Sequence, residues 1–329
     1  MQEQESRMLK VLQLNRGFTR PEKWIEYGIA HEFEATKAEK FEQCPDCSTQ
    51  SFGFIGQFVY YSTLVNLLEC HNCGLVFTDT RIDSEVISAH FEHAYKDEEY
   101  FVHRRHRIFQ QIVRIADETL QAGGRVLDIG GAKGHLLSVL KIRRPDLRLV
   151  LNDISKDACD YAKSIYGFQT IVGGIDKLEE ASSRFDLVIL SDVIYYEPEL
   201  RRLWNVLPRL VSEHGTIVIR VPNKLALIRS WQFLNRVMAR SASSEMQDNI
   251  RFFNPEHLFV FSRQYLSMRL KNIGFERVLS KPSELLISGR NDWMRPLLYY
   301  VCKAISILSF ERIVITPSML VIAKRTVST

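Results

Sequence analysis

The stretch 126–137, VLDIGGAKGHLL, constrains the chain most. An apolar, strand-like run ends at Asp128–Ile129, glycines follow, and helix-forming residues resume near Gly134. Glycines at such a junction let the backbone turn sharply and let a ligand approach the main chain without a Cβ in the way. From this point strand and helix patterns alternate. Strands are expected over Arg125–Ile129, Leu147–Leu151, Thr170–Val172, Phe185–Leu190, Thr216–Val221 and Met319–Ala323. Helices are expected over Gly134–Ile142, Lys156–Tyr166, Glu199–Val211 and Arg263–Ile273, the last stopped by Gly274. The run FDLVIL at 185–190 is almost wholly apolar, as suits a strand covered on both faces. The order predicts an α/β fold with a mainly parallel sheet and helices on both sides.

In open parallel sheets ligands bind beyond the carboxyl ends of the strands, so the glycine loop is the candidate binding element. A dinucleotide loop reads G-x-G-x-x-G. Here the glycines are Gly130, Gly131 and Gly134, with Ala132 and His135 where two of that pattern's glycines would fall, a poor fit. The second strand ends LRLVLND, which places Asp153 and the following Ile154 at the spacing, about 20 residues, of a ribose-binding acid. Such a carboxylate accepts hydrogen bonds from both ribose hydroxyls; the other reading of Asp153 is an N-cap for the helix at Lys156–Tyr166.

Four of the six cysteines are paired: Cys44-Pro-Asp-Cys47 and, after 22 residues, Cys70-His-Asn-Cys73. The N-terminus, MQEQESRMLK, has no apolar signal-peptide core, so reduced thiols and a cytoplasmic location are expected. In that setting two Cys-x-x-Cys knuckles supply four thiolates to one tetrahedral Zn²⁺. A closed four-sulfur site leaves no position for water, so the expected role is structural. His71 is read as an exposed knuckle residue and not as a ligand.

Composition limits the alternatives. With 46% hydrophobic and 25% charged residues the chain is no disordered polymer, and a net charge of +4 is too mild to point to nucleic acid. The 329 residues accommodate two units: an N-terminal extension with a zinc ribbon over 1–95, and an α/β domain over 96–329 with a lid insertion at about 223–260. Arg220, Lys224, Arg229, Arg236, Arg240 and Arg251 make 220–251 basic against Glu245 and Asp248, with Trp231 and Phe233 among them. Arginines in such a segment can clamp a diphosphate; a solvated amphipathic helix is the plainer reading. The apolar run Pro296–Phe310 is 15 residues long and contains Lys303, too short for a span of about 20 residues, and is expected as a core or surface-facing amphipathic helix.

The glycine loop resembles the D-x-G-x-G-x-G loop of class I S-adenosylmethionine methyltransferases. Asp128, Gly130 and Gly134 match, and Ala132 stands at the middle glycine. FDLVILSDVIYYEPEL at 185–200 and HGTIVIRVPN at 214–223 are similar to that family's fourth- and fifth-strand motifs. EHLFVFSRQYLSMRLKNIGFE at 256–276 is similar to a segment of the branch that acts on sugars and small molecules. The resemblance covers roughly 100–280. CHNCGLVFTDTR at 70–81, followed by Tyr100-Phe101, resembles the zinc-ribbon sugar methyltransferases of polysaccharide and natural-product pathways.

What the resemblance implies is a Rossmann-like class I methyltransferase with a small four-cysteine zinc ribbon. S-adenosylmethionine would be held by Asp128, Gly130, Gly131, Ala132, Gly134, Asp153, Ile154, Asp192 and Tyr100. His257 is the implied general base, with Glu256 and Tyr196 beside the acceptor; a merely structural His257 is the alternative. Tyr195 and Tyr196 replace the family's usual Glu-His pair, and no tyrosine precedes Asn254-Pro255-Glu256-His257 where C-methylating relatives carry one. Both tyrosines could equally pack beneath a lid. The implied acceptor is a sugar hydroxyl, carbon or amine carried on a nucleotide or a lipid. Nucleic acid is not an expected partner, and peripheral contact with a membrane stays open. RNA methylation, and a binding module that keeps the fold without the catalysis, are the competing functions.

Overall fold

The computed structural model describes residues 39–60, 63–81, 98–229, 257–286 and 294–325. These fall into two units, one within 1–87 and 224–262, the other within 88–223 and 263–329.

The second unit is built on a seven-stranded sheet. Its elements run α1 (Glu98–Thr119), β6 (Arg125–Ile129), α2 (His135–Arg143), β7 (Arg148–Asp153), α3 (Lys156–Tyr166), β8 (Gln169–Val172) and α4 (Ile175–Glu180), then β9 (Phe185–Ser191), α5 (Leu200–Leu210), β10 (Val211–Pro222), α6 (Arg263–Asn272), β12 (Phe275–Pro282), α7 (Met294–Leu308) and β13 (Ser318–Arg325). Strands β1–β5 and β11 belong to the first unit. The spatial order is β12-β13-β10-β9-β6-β7-β8. β10, β9, β6, β7 and β8 pair in parallel. β13 is antiparallel to both β10 and β12. This is the α/β, Rossmann-like arrangement that the alternating pattern predicts.

The residues explain the layers. Leu187, Val188, Ile189 and Leu190 of β9 are fully buried in mid-sheet, as the apolar run requires. α1 buries Ile108, Ile112 and Ile115 from one face against Leu136, Leu137 and Leu140 of α2. α5 buries Leu203, Trp204, Val206, Leu207 and Leu210, and the Trp204 indole donates to Tyr265 Oη of α6 at 3.1 Å. The two boundary glycines behave as caps: Gly167 ends α3 at φ 70° and Gly274 follows α6 at φ 92°.

Two elements depart from expectation. β12, FERVLSKP, is a polar edge strand with most residues at least partly exposed, so it carries no apolar signature. α7 forms where an amphipathic helix is expected, but it points its apolar side outward.

In the first unit β1 (Glu39–Lys40) pairs with β5 (Thr80–Arg81). β2 (Phe52–Tyr60), β3 (Thr63–Cys70) and β4 (Val76–Thr78) form an antiparallel sheet that continues to β11 (Phe259–Val260), in the order β11-β4-β3-β2. The described ends of the stretch 223–260 thus supply a strand to the N-terminal sheet, and Leu225 and Val260 pack with Val65, Leu67 and Val76. Residues 230–256, with Arg236, Arg240 and Arg251, lie outside the described residues.

Candidate functional site

The sheet's strand order reverses between β6 and β9, and the crevice at such a switch point is where α/β proteins bind ligands. An open cleft lies there, lined by the glycine loop, by Ser191 at the end of β9, and by Arg105 and Phe109 of α1.

The loop's shape follows from its residues. Gly130 sits at φ 66°, and a Cβ there would lie 2.3 Å from Val193 Cγ2. A Cβ on Gly131 would lie 2.3 Å from Leu151 Cδ1 and 2.7 Å from Asp128 Oδ2. Gly134 caps α2 at φ 79°. Ala132, at the family's middle glycine, is also left-handed at φ 50°, so the loop keeps the glycine conformation with a methyl group in place. Its N–H donates to Asp153 Oδ2 at 2.8 Å, while Asp153 Oδ1 accepts from Ser155 N at 2.9 Å. Asp153 is buried and ties the loop to β7, whereas the N-cap of α3 is Ser155, whose Oγ accepts from Ala158 N. Asn152 spans the adjoining strands by donating to Ile171 O and Gly173 O. Ile154, next in line, is exposed.

Asp128 lies fully buried beneath the loop. Burial, reinforced by the charge of Asp153 and opposed by Arg105, pushes its carboxyl up to about 8. At neutral pH it is mostly protonated, and a cationic ligand group in the cleft would draw the proton off.

Asp192, beyond β9, adopts φ 62° and receives two guanidiniums. Arg105 Nη1 lies 3.2 Å from its Oδ2, and Arg220 Nη1 bonds the same oxygen. Arg220, only 2% exposed, is fixed further by donating Nε–H to Ser283 Oγ at 2.8 Å. Arg220 is therefore a buried cation beside the cleft and not part of a surface clamp; Arg229 pairs with Glu69 at 2.7 Å. Arg105 is the site residue that sequence reasoning misses. Its only signal is the basic run Arg104-Arg105-His106-Arg107, which looks like a solvated helix face. Tyr195 and Tyr196 form a short 3₁₀ turn after β9 with ring centroids 4.6 Å apart. Tyr195 is buried, which pushes its phenol well above the usual value, while Tyr196 is partly exposed. Tyr100 falls in the first turn of α1, and its side chain, like all of Glu256, lies outside the described residues.

His257 belongs to the other unit. It is 6% exposed, and its Nδ1 lies 3.0 Å from Lys224 Nζ. Burial first, and the Lys224 charge second, lower its pKa well below the usual imidazole value, so the ring is neutral.

In that same unit Cys44, Cys47, Cys70 and Cys73 converge, their sulfurs within 4.8 Å of one another. Cys44 and Cys73 are 3.7 Å apart and Cys47 and Cys70 3.5 Å. A tetrahedron with Zn–S near 2.3 Å requires sulfur separations of about 3.8 Å, and a disulfide about 2.05 Å. The two knuckles are built alike. Ser48 N donates to Cys44 O and Gly74 N to Cys70 O, both at 2.9 Å, and both turns end left-handed, Ser48 at φ 61° and Gly74 at φ 73°. Cys73 N–H points at Cys70 Sγ. The hydrogen bond from Cys73 holds the Cys44 thiol down to about 5, while Cys73 itself is pushed up. Crowded thiols that cannot all ionise together are a donor set suited to a thiophilic divalent cation. His71 is exposed and bonds Ser51 Oγ at 3.1 Å, outside the sulfur set.

Comparisons with known proteins agree with the crevice. A family profile described as "Methyltransferase domain" matches residues 100–280, more than half of the chain. The malonyl-[acyl-carrier protein] O-methyltransferase of Acetivibrio thermocellus is 22% identical over 138 residues, 41% of this chain and 49% of that protein. The chain thus spans about half the length of the curated relative it matches. A chain of the complex between the Haloferax volcanii Trm112 methyltransferase activator and a methyltransferase superposes with a TM-score of 0.52 at 14% identity, over 74% of this chain and 99% of that one. The plantazolicin methyltransferase BamL, solved with a desmethyl analogue and SAH, superposes with a TM-score of 0.46 at 15% identity, over 73% and 91%. On the profile match, and on a sheet that carries its glycine loop at the switch point, the chain belongs to the methyltransferase-domain family, with the class I S-adenosylmethionine-dependent fold.

Proposed function

We propose that the chain transfers a methyl group from S-adenosylmethionine to a small-molecule acceptor, a sugar carried on a nucleotide or lipid, with a structural zinc ion on the four cysteines. The observation that carries the methyl-transfer reading is the loop itself: Gly130, Ala132 and Gly134 all left-handed, with the Ala132 amide on Asp153. The bound cofactor would supply an activated methyl on a sulfonium. The chain's own residues position and exclude. Gly130 and Gly131 let the loop pack directly on Val193, Leu151 and Asp128, which fixes its course along the crevice, and Asp153 keeps acceptor capacity for ribose hydroxyls. Asp128 in its ionised form would favour the cofactor's positive charge. Arg105, held by Asp192, supplies a cation suited to the amino-acid carboxylate.

Catalysis then rests mainly on alignment of nucleophile, methyl carbon and sulfur, with proton removal where the nucleophile needs it. A hydroxyl becomes strongly acidic once its oxygen bonds carbon, so a weak base such as a neutral buried imidazole is sufficient. His257, Glu256 and Tyr196 are the residues proposed for the acceptor. The Cys44, Cys47, Cys70 and Cys73 set would hold the metal and tie the β2–β3–β4 sheet together, as a small unit with a thin core requires. The proposed division is a zinc-stapled N-terminal unit and a catalytic domain. The sugar assignment rests on resemblance of 70–81 and 256–276 to sugar-modifying relatives. The test is methyl transfer to a panel of nucleotide sugars read by mass. A gain of one methylene on a sugar is expected, and turnover of RNA with none of any sugar would replace the acceptor assignment.

A further inference from the structure

α7 is inverted relative to an ordinary surface helix. Such helices bury their apolar side and present polar residues to water. Here the side turned to the protein carries Ser306, fully buried, with Tyr299, and the partly buried Lys303, which pairs with Glu284 at 2.6 Å. The opposite side carries Leu297, Leu298, Val301, Ile305 and Leu308, all exposed. The positions follow i, i+1, i+4, i+8 and i+11, a continuous stripe on one helix face. No charged residue interrupts it.

The stripe ends in a built prong. Phe310 and Glu311 are consecutive non-glycine residues with φ of 53° and 59°. This backbone is strained for both. It is held by Arg263, whose Nη1 donates to Glu311 O at 2.7 Å and Arg312 O at 2.6 Å. The turn leaves Leu308 80% and Phe310 88% exposed. Strain and a dedicated arginine thus fix an aromatic ring in water, against the hydrophobic effect. A flat partner surface would not receive such a protrusion well, whereas an acyl layer would.

Charge indicates the sign of the partner. Arg312 is exposed beside Phe310, and exposed Arg107 reaches Tyr300 Oη on the flank of α7 at 3.4 Å. Lys303, on the protein-facing side, is matched by Glu284, so the exposed charges described beside the stripe are Arg107 and Arg312, with the partly buried Glu311 next to them. A second copy docked face to face would bring like charges together, while an anionic lipid surface would neutralise them. No described helix is long and apolar enough to cross a membrane, so the contact is one of lying on the surface.

We propose that α7 and the Phe310 prong form a docking surface for an anionic membrane, with the stripe in the acyl boundary and Arg107 and Arg312 at headgroup level. The inference is independent of the acceptor's identity.

The full-length, zinc-supplemented protein is floated with vesicles of phosphatidylcholine, with and without phosphatidylglycerol. Flotation with the phosphatidylglycerol vesicles is expected, weakened by salt and by their omission. Leu298→Glu/Val301→Glu/Phe310→Glu should lower partitioning by about a hundredfold or more, and Arg107→Glu/Arg312→Glu should lower it on anionic vesicles only. All five positions are exposed, and unchanged thermal unfolding and S-adenosylmethionine binding verify that the variants fold. Protein that stays with the soluble fraction under every vesicle composition overturns the proposal. So does a concentration-dependent dimer in sedimentation that the apolar variants convert to monomer, which would assign the face to a second copy.

Discussion

Asp128→Asn is predicted to stabilise the protein while weakening its hold on the cofactor. The wild-type carboxyl is pushed up to about 8 by burial and by Asp153. Its unfolded value is about 3.9. Above pH 3.9 the unfolded chain releases this proton, while the folded chain keeps it until about pH 8. Stability therefore falls as pH rises through this window and levels off above it. At about 1.4 kcal/mol per pH unit, the cost to folding is about 3 kcal/mol at pH 6, about 4 at pH 7 and about 5 at pH 8. Asparagine has the shape of the protonated acid and no charge to bury, so it avoids this cost. Relaxation of the cleft in the charged state reduces the effect, and a gain of about 2 kcal/mol or more at pH 8, shrinking toward pH 5, is the expected outcome. The assay is urea unfolding of both proteins from pH 5 to 9, taking the difference so that other titrations cancel. Calorimetry then supplies the second half: wild-type affinity for S-adenosylmethionine should rise with pH up to about 8, and the asparagine variant should bind more weakly without that dependence. A variant whose stability difference is flat with pH, or that is less stable at pH 8, would refute the account of a buried, mostly protonated Asp128.

Three other outcomes follow from the geometry. Gly131→Ala sets a methyl 2.3 Å from Leu151 Cδ1 and 2.7 Å from Asp128 Oδ2, so unfolding free energy should drop by about 1–3 kcal/mol with loss of cofactor affinity; wild-type binding by this variant would show that the loop yields. Cys44→Ser should abolish stoichiometric zinc by atomic emission and cost at least about 3 kcal/mol of stability, and retention of one zinc per chain would remove Cys44 from the ligand set. His257→Ala should reduce turnover by about a hundredfold with cofactor affinity unchanged, and undiminished turnover would leave this histidine a structural role beside Lys224.

The glycine loop and its tie to Asp153 were legible because their determinants are local. Asp128, Gly130, Ala132 and Gly134 belong to one turn, and Asp153 is reached from it by one helix and one strand. The knuckles are readable for the same reason, since each Cys-x-x-Cys turn is closed by its own backbone hydrogen bonds. What escaped was non-local. Arg105 meets Asp192 and Arg220 only after α1 packs on a sheet whose strands are ordered by topology, and in sequence it is one of three arginines in a basic run. Arg220 looked like a member of a basic lid because its neighbours in sequence are basic; its burial against Ser283 depends on the placement of β12. β12 itself has the polar composition of an edge strand and no alternation to betray it. The apolar run 296–310 disclosed a helix, but which side faces the protein is decided by the polar partner Glu284, distant in sequence.

The central claim is that the crevice beyond β6 and β9 binds S-adenosylmethionine. Titration calorimetry of the zinc-loaded full chain tests it most directly. The account predicts one cofactor bound per chain, competed by S-adenosylhomocysteine and lost in Gly131→Ala. A folded, zinc-loaded sample that binds neither would contradict it.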